Sequence, residues 1–275
     1  RNSSNRQLER QYTTLGGNIH AIEVHGSIDD CHALMRHALS DPILQRKAMM
    51  TCANSANIGR LLPETFYYFY GVAQLLERTD RRSPEIVAAV PCGNLGNLTG
   101  GIISKRLGLP ISHFLACENA NDAFNETLAA GHLLPRRPSV PTLAYATDKA
   151  DPTNLPRILD LYNGDFDAIR RDITGVCVND AAIIEAVNGC YRATGYMCDP
   201  HTAMGYYGLR HYLRPGQIGL LIATSLTAMN AITGRAMDLP LQLNTFMTGQ
   251  DHRIRISPNY DVLRRIILDN TPTPQ

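Results

Sequence analysis

The stretch "PEIVAAVPCGNLGNLTGGIISKRLG", residues 84–108, constrains the fold more than any other part of the chain. An apolar run ends in a crowd of glycines, and a helical pattern comes after it. Gly93, Gly96, Gly100 and Gly101 let the backbone pass close to a ligand where a buried strand gives way to a helix. The N–H groups there are free to point at one anion, so the stretch outlines a phosphate site. It is not a P-loop, because the first lysine, Lys105, lies well inside the helix. Nor does it carry the G-x-G-x-x-G dinucleotide spacing, although Glu118 sits about 20 residues on, where a ribose-binding acid would stand. A plain strand-to-helix turn that uses glycine for tightness is the competing reading.

The alternation of apolar runs with helical patterns continues from end to end, which predicts an α/β fold: a mostly parallel open sheet covered by helices. Strands are expected near 19–24, 48–53, 85–91, 111–117 and 218–223. Helices are expected from Ser27, which opens a capping box with Asp30, to Ser40; over 58–78 with a break at Pro63; and at 98–107, 121–130, 153–163, 179–193, 201–213 and 259–268. Residues 131–156 hold five prolines and little periodicity, and read as an ordered, site-lining loop. The tail after Thr271 is polar and reads as frayed.

Composition narrows the function. Lys and Arg number 26 against 25 Asp and Glu, without a basic run interleaved with aromatics, which argues against a nucleic-acid partner. The longest apolar stretches are far short of the roughly 20 residues that cross a bilayer, so no membrane partner is expected. Seven cysteines without a C-x-x-C pair read as reduced thiols of a cytoplasmic protein. Nine histidines show no ligand spacing, and no metal site is expected.

Ligands of open parallel sheets collect beyond the carboxyl ends of the strands. Here those ends lead into "ANSAN" (53–57), the glycine loop, "ENAND" (118–122) and "TSLT" (224–227), a set of amides and hydroxyls suited to an organic phosphate. There is no nucleophile triad or carboxylate dyad among them. Each segment alone also serves as an ordinary helix N-cap, and only their joint position points to a site.

"TTLGGNIHAIEVHGSIDDCHAL", "CANSANIGRLLPETFYYFY", "PCGNLGNLTGG", "KRLGLP", "ENANDAF", "DPTNLPR" and "DPHTAMGY" occur in the order and spacing of the bacterial and fungal threonine synthases. From about Gln11 to the C-terminal helix, the chain resembles that family. The resemblance implies fold type II pyridoxal 5'-phosphate chemistry: a lyase turning O-phospho-L-homoserine and water into L-threonine and phosphate. It implies that Gly93, Asn94, Leu95, Gly96 and Asn97 wrap the cofactor phosphate, that Thr224 meets the pyridine nitrogen, and that Asn54, Ser55 and Asn57 face cofactor and substrate. Arg157 and His201 are candidate polar groups at the mouth for the amino-acid phosphate substrate. Residues 1–45 would be a remnant of the smaller lobe and 46–275 the large cofactor-binding domain.

Two departures from the family stand out. Its Schiff-base lysine belongs to an F-K-D type motif in an N-terminal portion; Lys47, Lys105 and Lys149 lack that context, so no catalytic residue is expected in this chain. The chain starts at Arg1 without a leader pattern and reads as a piece whose partner is the missing N-terminal segment. Where the family has T-A-H-P-A-K-F, Leu226 and Met229 replace the His and Lys, and "AYATD" (144–148) replaces S-N-A-M-D, which weakens the case for phosphohomoserine. A related pyridoxal-dependent lyase on another hydroxy amino acid, and a non-catalytic binding module, are the alternatives.

Overall fold

In the computed structural model the described residues are 6–79, 84–223 and 241–271. They run through α1 (Arg6–Thr13), β1 (Ile22–Val24), α2 (Ile28–Ser40), α3 (Pro42–Lys47), α4 (Ile58–Leu61), a 3-10 turn (Leu62–Thr65) and α5 (Phe66–Arg78). Next come β2 (Glu85–Pro91), α6 (Gly96–Arg106), β3 (Ile111–Glu118), α7 (Ala123–Ala130), a 3-10 turn (Tyr145–Thr147), α8 (Leu155–Leu161), α9 (Phe166–Asp172) and β4 (Ile173–Cys177). The remainder is α10 (Asp180–Thr194), α11 (Pro200–Tyr212), β5 (Gln217–Leu221), α12 (Leu241–Thr248), β6 (Ile254–Ile256) and α13 (Tyr260–Asp269). Two compact units result, one of residues 53–226 and one of 1–52 with 227–275.

The larger unit is built on a four-stranded parallel sheet in the order β4-β3-β2-β5. Five consecutive residues of β2, Ile86 to Val90, are buried, as expected of a strand covered on both faces. Its alternation sorts them. Ile86, Ala88 and Val90 join Leu98 and Ile102 of α6, Phe114 and Phe124 in one core. The opposite face meets α11, where Gly205 lies against Leu221 and Ala89, and Gly208 against Cys117 and Leu115. Pro63 falls in the 3-10 turn that separates α4 from α5, where its missing N–H is harmless.

The smaller unit pairs β1 with β6 in parallel, Ile22 beside Ile254. α2 starts at the expected capping box, with Asp30 N–H donating to Ser27 Oγ and Ser27 N–H returning to the Asp30 carboxylate. Asp41 caps α3 and accepts from Tyr260 Oη at 2.6 Å, which, with the backbone N–H groups of Ile43 and Leu44 and the charge of Arg264, lowers its carboxyl to about 2.

The structure departs from expectation in three places. The units divide after residue 52 rather than near 45, and 227–275 join the N-terminal unit because β6 adds to β1. Residues 48–53 form no strand; Met49 is exposed and no described strand pairs with the run, so an apolar sequence without a ladder or a cover stays irregular. β4 and β6, and the short helices α1, α3, α9 and α12, are additional.

The close packing of α6 depends on Gly101. A Cβ there would stand 2.8 Å from both the Phe114 and Tyr68 rings, which are fully buried. Gly101→Ala is therefore expected to destabilise the fold by about 1–3 kcal/mol. Urea unfolding measures this, and an unchanged midpoint would show that the rings yield freely.

Candidate functional site

The site assembles at the carboxyl ends of β2 and β3. Beyond Pro91, the Cys92 N–H donates to Cys117 O at 2.7 Å, which keeps the chain on the sheet for one more residue. Burial, first of all, pushes the Cys92 thiol well above its usual range and the Cys117 thiol up to about 12, so neither is a thiolate nucleophile. Leu95 then turns the chain in the left-handed region, φ 60°, and α6 begins at Gly96 without a side-chain cap. The first N–H groups of α6, from Gly96, Asn97 and Leu98, have no intrahelical acceptor.

A network of amides and hydroxyls, with one guanidinium, holds this turn. Asn94 Nδ2 donates to Ser55 Oγ at 3.2 Å, and Asn94 Oδ1 accepts from the N–H and Oγ1 of Thr153 at 2.8 and 2.9 Å. Asn154 Nδ2 reaches both Ser55 Oγ and Asn94 O at 2.8 Å. Asn154 is the first residue ahead of α8 and makes no cap bond to it, because its amide is committed to the loop instead. Arg157 Nη1 donates to Ser55 O at 2.8 Å and Nη2 to Ala56 O. Asn54 Oδ1 closes a turn onto Ala56 N–H at 2.9 Å, and Asn57 caps α4 through Gly59 N–H at 3.0 Å. A Cβ on Gly96 would fall 2.6 Å from Ser55 Oγ, so the two segments touch only because residue 96 is glycine.

Asn97, in the first turn of α6, is fixed by two phenols. Tyr67 Oη and Tyr68 Oη donate to its Oδ1 at 2.9 and 2.7 Å. Burial raises both tyrosines above their ordinary range, so they remain donors. Below them the Glu64 carboxyl is raised by burial and lowered again in part by its ion pair with Arg60.

A second network holds the 140–148 loop. Asn119 Nδ2 donates to Thr142 Oγ1 at 2.8 Å and Asp148 Oδ1 at 2.9 Å, while Asn121 exchanges hydrogen bonds with Val140 N and O. Gly93 lies directly against Thr147, with a Cβ position 2.6 Å from its Cα. His201 is buried: Nε2 accepts from Ala146 N–H at 3.1 Å, so Nδ1 bears the proton it shares with Asp199 Oδ1 at 2.8 Å. Burial would raise the Asp199 carboxyl, but hydrogen bonds from His201 and Thr202 bring it below its usual range.

Asn54, Ser55, Asn94 and Arg157 thus lie in one bonded cluster with Gly93, Leu95, Gly96 and Asn97 around the start of α6, and Asn57 stands at its edge. His201 is not at a mouth; both ring nitrogens are engaged in pinning the 145–147 turn. Arg157 likewise turns its guanidinium inward onto carbonyls. Thr224, Leu226 and Met229 lie outside the described residues. Thr153 and Asn154, inside "DPTNLPR", also take part; the motif alone does not mark them, since an Asn ahead of a Leu-Pro helix start reads as a cap. Lys105 pairs with Asp172 Oδ1 at 2.8 Å and Lys149 is buried. Among the described residues, no group of three or more His, Cys, Asp or Glu is placed to hold a metal ion, and no helix is long and apolar enough to cross a membrane.

Residues 2–224 match the family model described as pyridoxal-phosphate dependent enzyme. The chain belongs to that family. It is 36% identical over 240 residues to threonine synthase of Escherichia coli K12, covering 86% of this chain and 55% of that relative. It is 35% identical over 267 residues to threonine synthase of Buchnera aphidicola subsp. Acyrthosiphon pisum, covering 95% and 61%. The crystal structure of the E. coli threonine synthase superposes with a TM-score of 0.88 at 32% identity, over 96% of this chain and 61% of that one. The yeast threonine synthase structure, at 22% identity and a TM-score of 0.79, shares the fold. The chain therefore spans between 55% and 62% of the length of these relatives.

Glu118 at the end of β3 gives this family member a pH signature. Its Oε2 accepts from Asn125 N–H at 2.9 Å, its Oε1 has no partner, and burial pushes the carboxyl up to about 8. An unfolded glutamate titrates near 4.3, so from about pH 5 to about pH 8 the folded state holds the extra proton and stability falls as pH rises, levelling off above the folded pKa. Glu118→Gln is expected to flatten that slope in urea unfolding across the same window. Parallel slopes for the two proteins would contradict it.

Proposed function

We propose that this chain supplies the cofactor-phosphate cradle of a threonine synthase-like lyase, which converts O-phospho-L-homoserine and water into L-threonine and phosphate with pyridoxal 5'-phosphate as cofactor. The observation that carries the reading is the start of α6. Its N–H groups have no side-chain cap, and the turn before it is fixed by Asn94, Ser55 and Asn154, with Arg157 holding the Ser55 and Ala56 carbonyls. A helix N-terminus presents partial positive charge, so a phosphate dianion satisfies those donors without a lysine. Asn97 suits the same role, since the two tyrosines hold its Oδ1 and leave the amide Nδ2 as a donor. Glu64, near Gly96, is paired with Arg60, which lowers its repulsion of an anion.

The cofactor, when bound, supplies the electron sink for proton removal next to an amino-acid carbon. The residues of this chain bind and orient. Leu95 and Gly96 set the direction of the N–H groups, Arg157 fixes 55–56 through their carbonyls, and the Asn119–Asp148 network keeps the 140–148 loop beside Gly93. The lysine that carries the cofactor is proposed to come from the portion of the relatives' length that this chain does not span, which makes that segment its partner. The amino-acid phosphate is the proposed substrate.

Binding of pyridoxal phosphate or of inorganic phosphate, measured by calorimetry on the full chain, tests the cradle. Gly96→Asp places a carboxylate among the N–H donors and is expected to weaken either ligand at least tenfold, a loss of about 1.4 kcal/mol. Thermal melting checks that the variant is folded. Equal affinity in the two proteins would remove the loop from the cofactor site.

A further inference from the structure

A polar cleft of about 430 Å³ lies between α10 and α11, formed by residues that the cofactor site does not use. On α10, Ala186, Gly189 and Ala193 repeat at helical spacing and leave a floor with almost no side chain. On α11, Tyr206, Tyr207, Arg210 and His211 form the facing wall. Tyr207 and His211 stack with centroids 4.0 Å apart and planes 30° apart, and His211 Nδ1 donates to Tyr207 O at 2.8 Å, so the two rings form a fixed aromatic stack. Arg192 and Arg210 are exposed at the cleft, and among the described residues neither has an ion-pair partner. Their places in the last turns of the two helices suit the helix dipoles. That role does not call for a roomy cleft with an aromatic wall between them. Glu185 is the single acid of the lining.

We infer that this cleft binds an aromatic phosphate monoester of mononucleotide size, at a second site distinct from the cofactor cradle. Guanidinium groups recognise a phosphate dianion through paired N–H donors. The stacked Tyr207–His211 surface takes a planar ring, and the Glu185 carboxylate accepts from a hydroxyl or amino group on it. The volume is in the range of small-ligand pockets. The inference stands apart from the lyase reading, because it uses no residue of that site.

AMP is the probe, titrated into the full chain by calorimetry, with adenosine and inorganic phosphate alongside. Saturable binding of one AMP per chain is expected, at least tenfold tighter than adenosine or phosphate alone. The double variant Arg192→Ala with Arg210→Ala is expected to lose at least tenfold in AMP affinity, and its melting temperature reports whether it folds. Arg192→Lys with Arg210→Lys keeps the charge and loses the forked donors, so it should fall between the two. Gly96→Asp should leave AMP binding unchanged, which separates this site from the cradle, and should bind AMP more tightly than it binds the smaller pyridoxal phosphate. No saturation below about 1 mM, equal affinity for adenosine or phosphate, pyridoxal phosphate outcompeting AMP on Gly96→Asp, or full AMP affinity in the double alanine variant would overturn the inference.

Discussion

The Ser55 hydroxyl, accepting from Asn94 and Asn154 together, is the interaction on which the site depends. Three separate pieces of chain meet on one oxygen: the segment after residue 52, the loop after β2 and the approach to α8. None of these pieces has regular structure of its own there. Each is held because a buried amide without a partner is costly, and this arrangement gives each of these amides one. The result is a hydrogen-bonded frame around the first turn of α6, whose N–H groups have no side-chain cap.

Burial and hydrogen bonding also set the charge of the cysteines and the acids nearby. Cys92 and Cys117 sit where the sheet ends but are held as thiols by burial. Glu118, in the same layer, keeps a proton well beyond the ordinary carboxyl range. Asp199 keeps its charge because His201 and Thr202 donate to it, and through His201 the start of α11 is tied to the Tyr145–Thr147 turn.

Strand β2 and helix α6 are legible in sequence because a continuous apolar run, a glycine cluster and a helical pattern agree locally. Residues 48–53 carry the same kind of apolar run and form no strand, since strand formation is decided by the presence of a neighbour and not by the run alone. β4, "ITGVC", comes directly after α9 without a turn signal and contains a glycine, so nothing local marks it; its pairing with β3 does. The placing of a polar residue beyond a strand end is readable for Asn94; Asn54 and Ser55 reach the same cluster although the strand expected before them does not form. The inward turn of Arg157 and the full engagement of His201 are not readable, because an arginine or histidine near a helix start looks the same whether it faces carbonyls or solvent. Asn154 shows the reverse case: a residue in cap position whose side chain serves a distant segment.

The β1–β6 pair joins residues more than two hundred positions apart in sequence, whereas residues 53–226 are contiguous. Closing so long a loop before any ladder bond forms is entropically unfavourable and slow. During synthesis, the four described strands of the central unit are available once β5 has left the ribosome, while the β1–β6 ladder must wait until Ile256 has been made. The edge of β1 that takes β6 is open to other chains for the whole of that interval. Its brevity, and the capping box that starts α2 almost at once, limit the ladder that such an encounter can build.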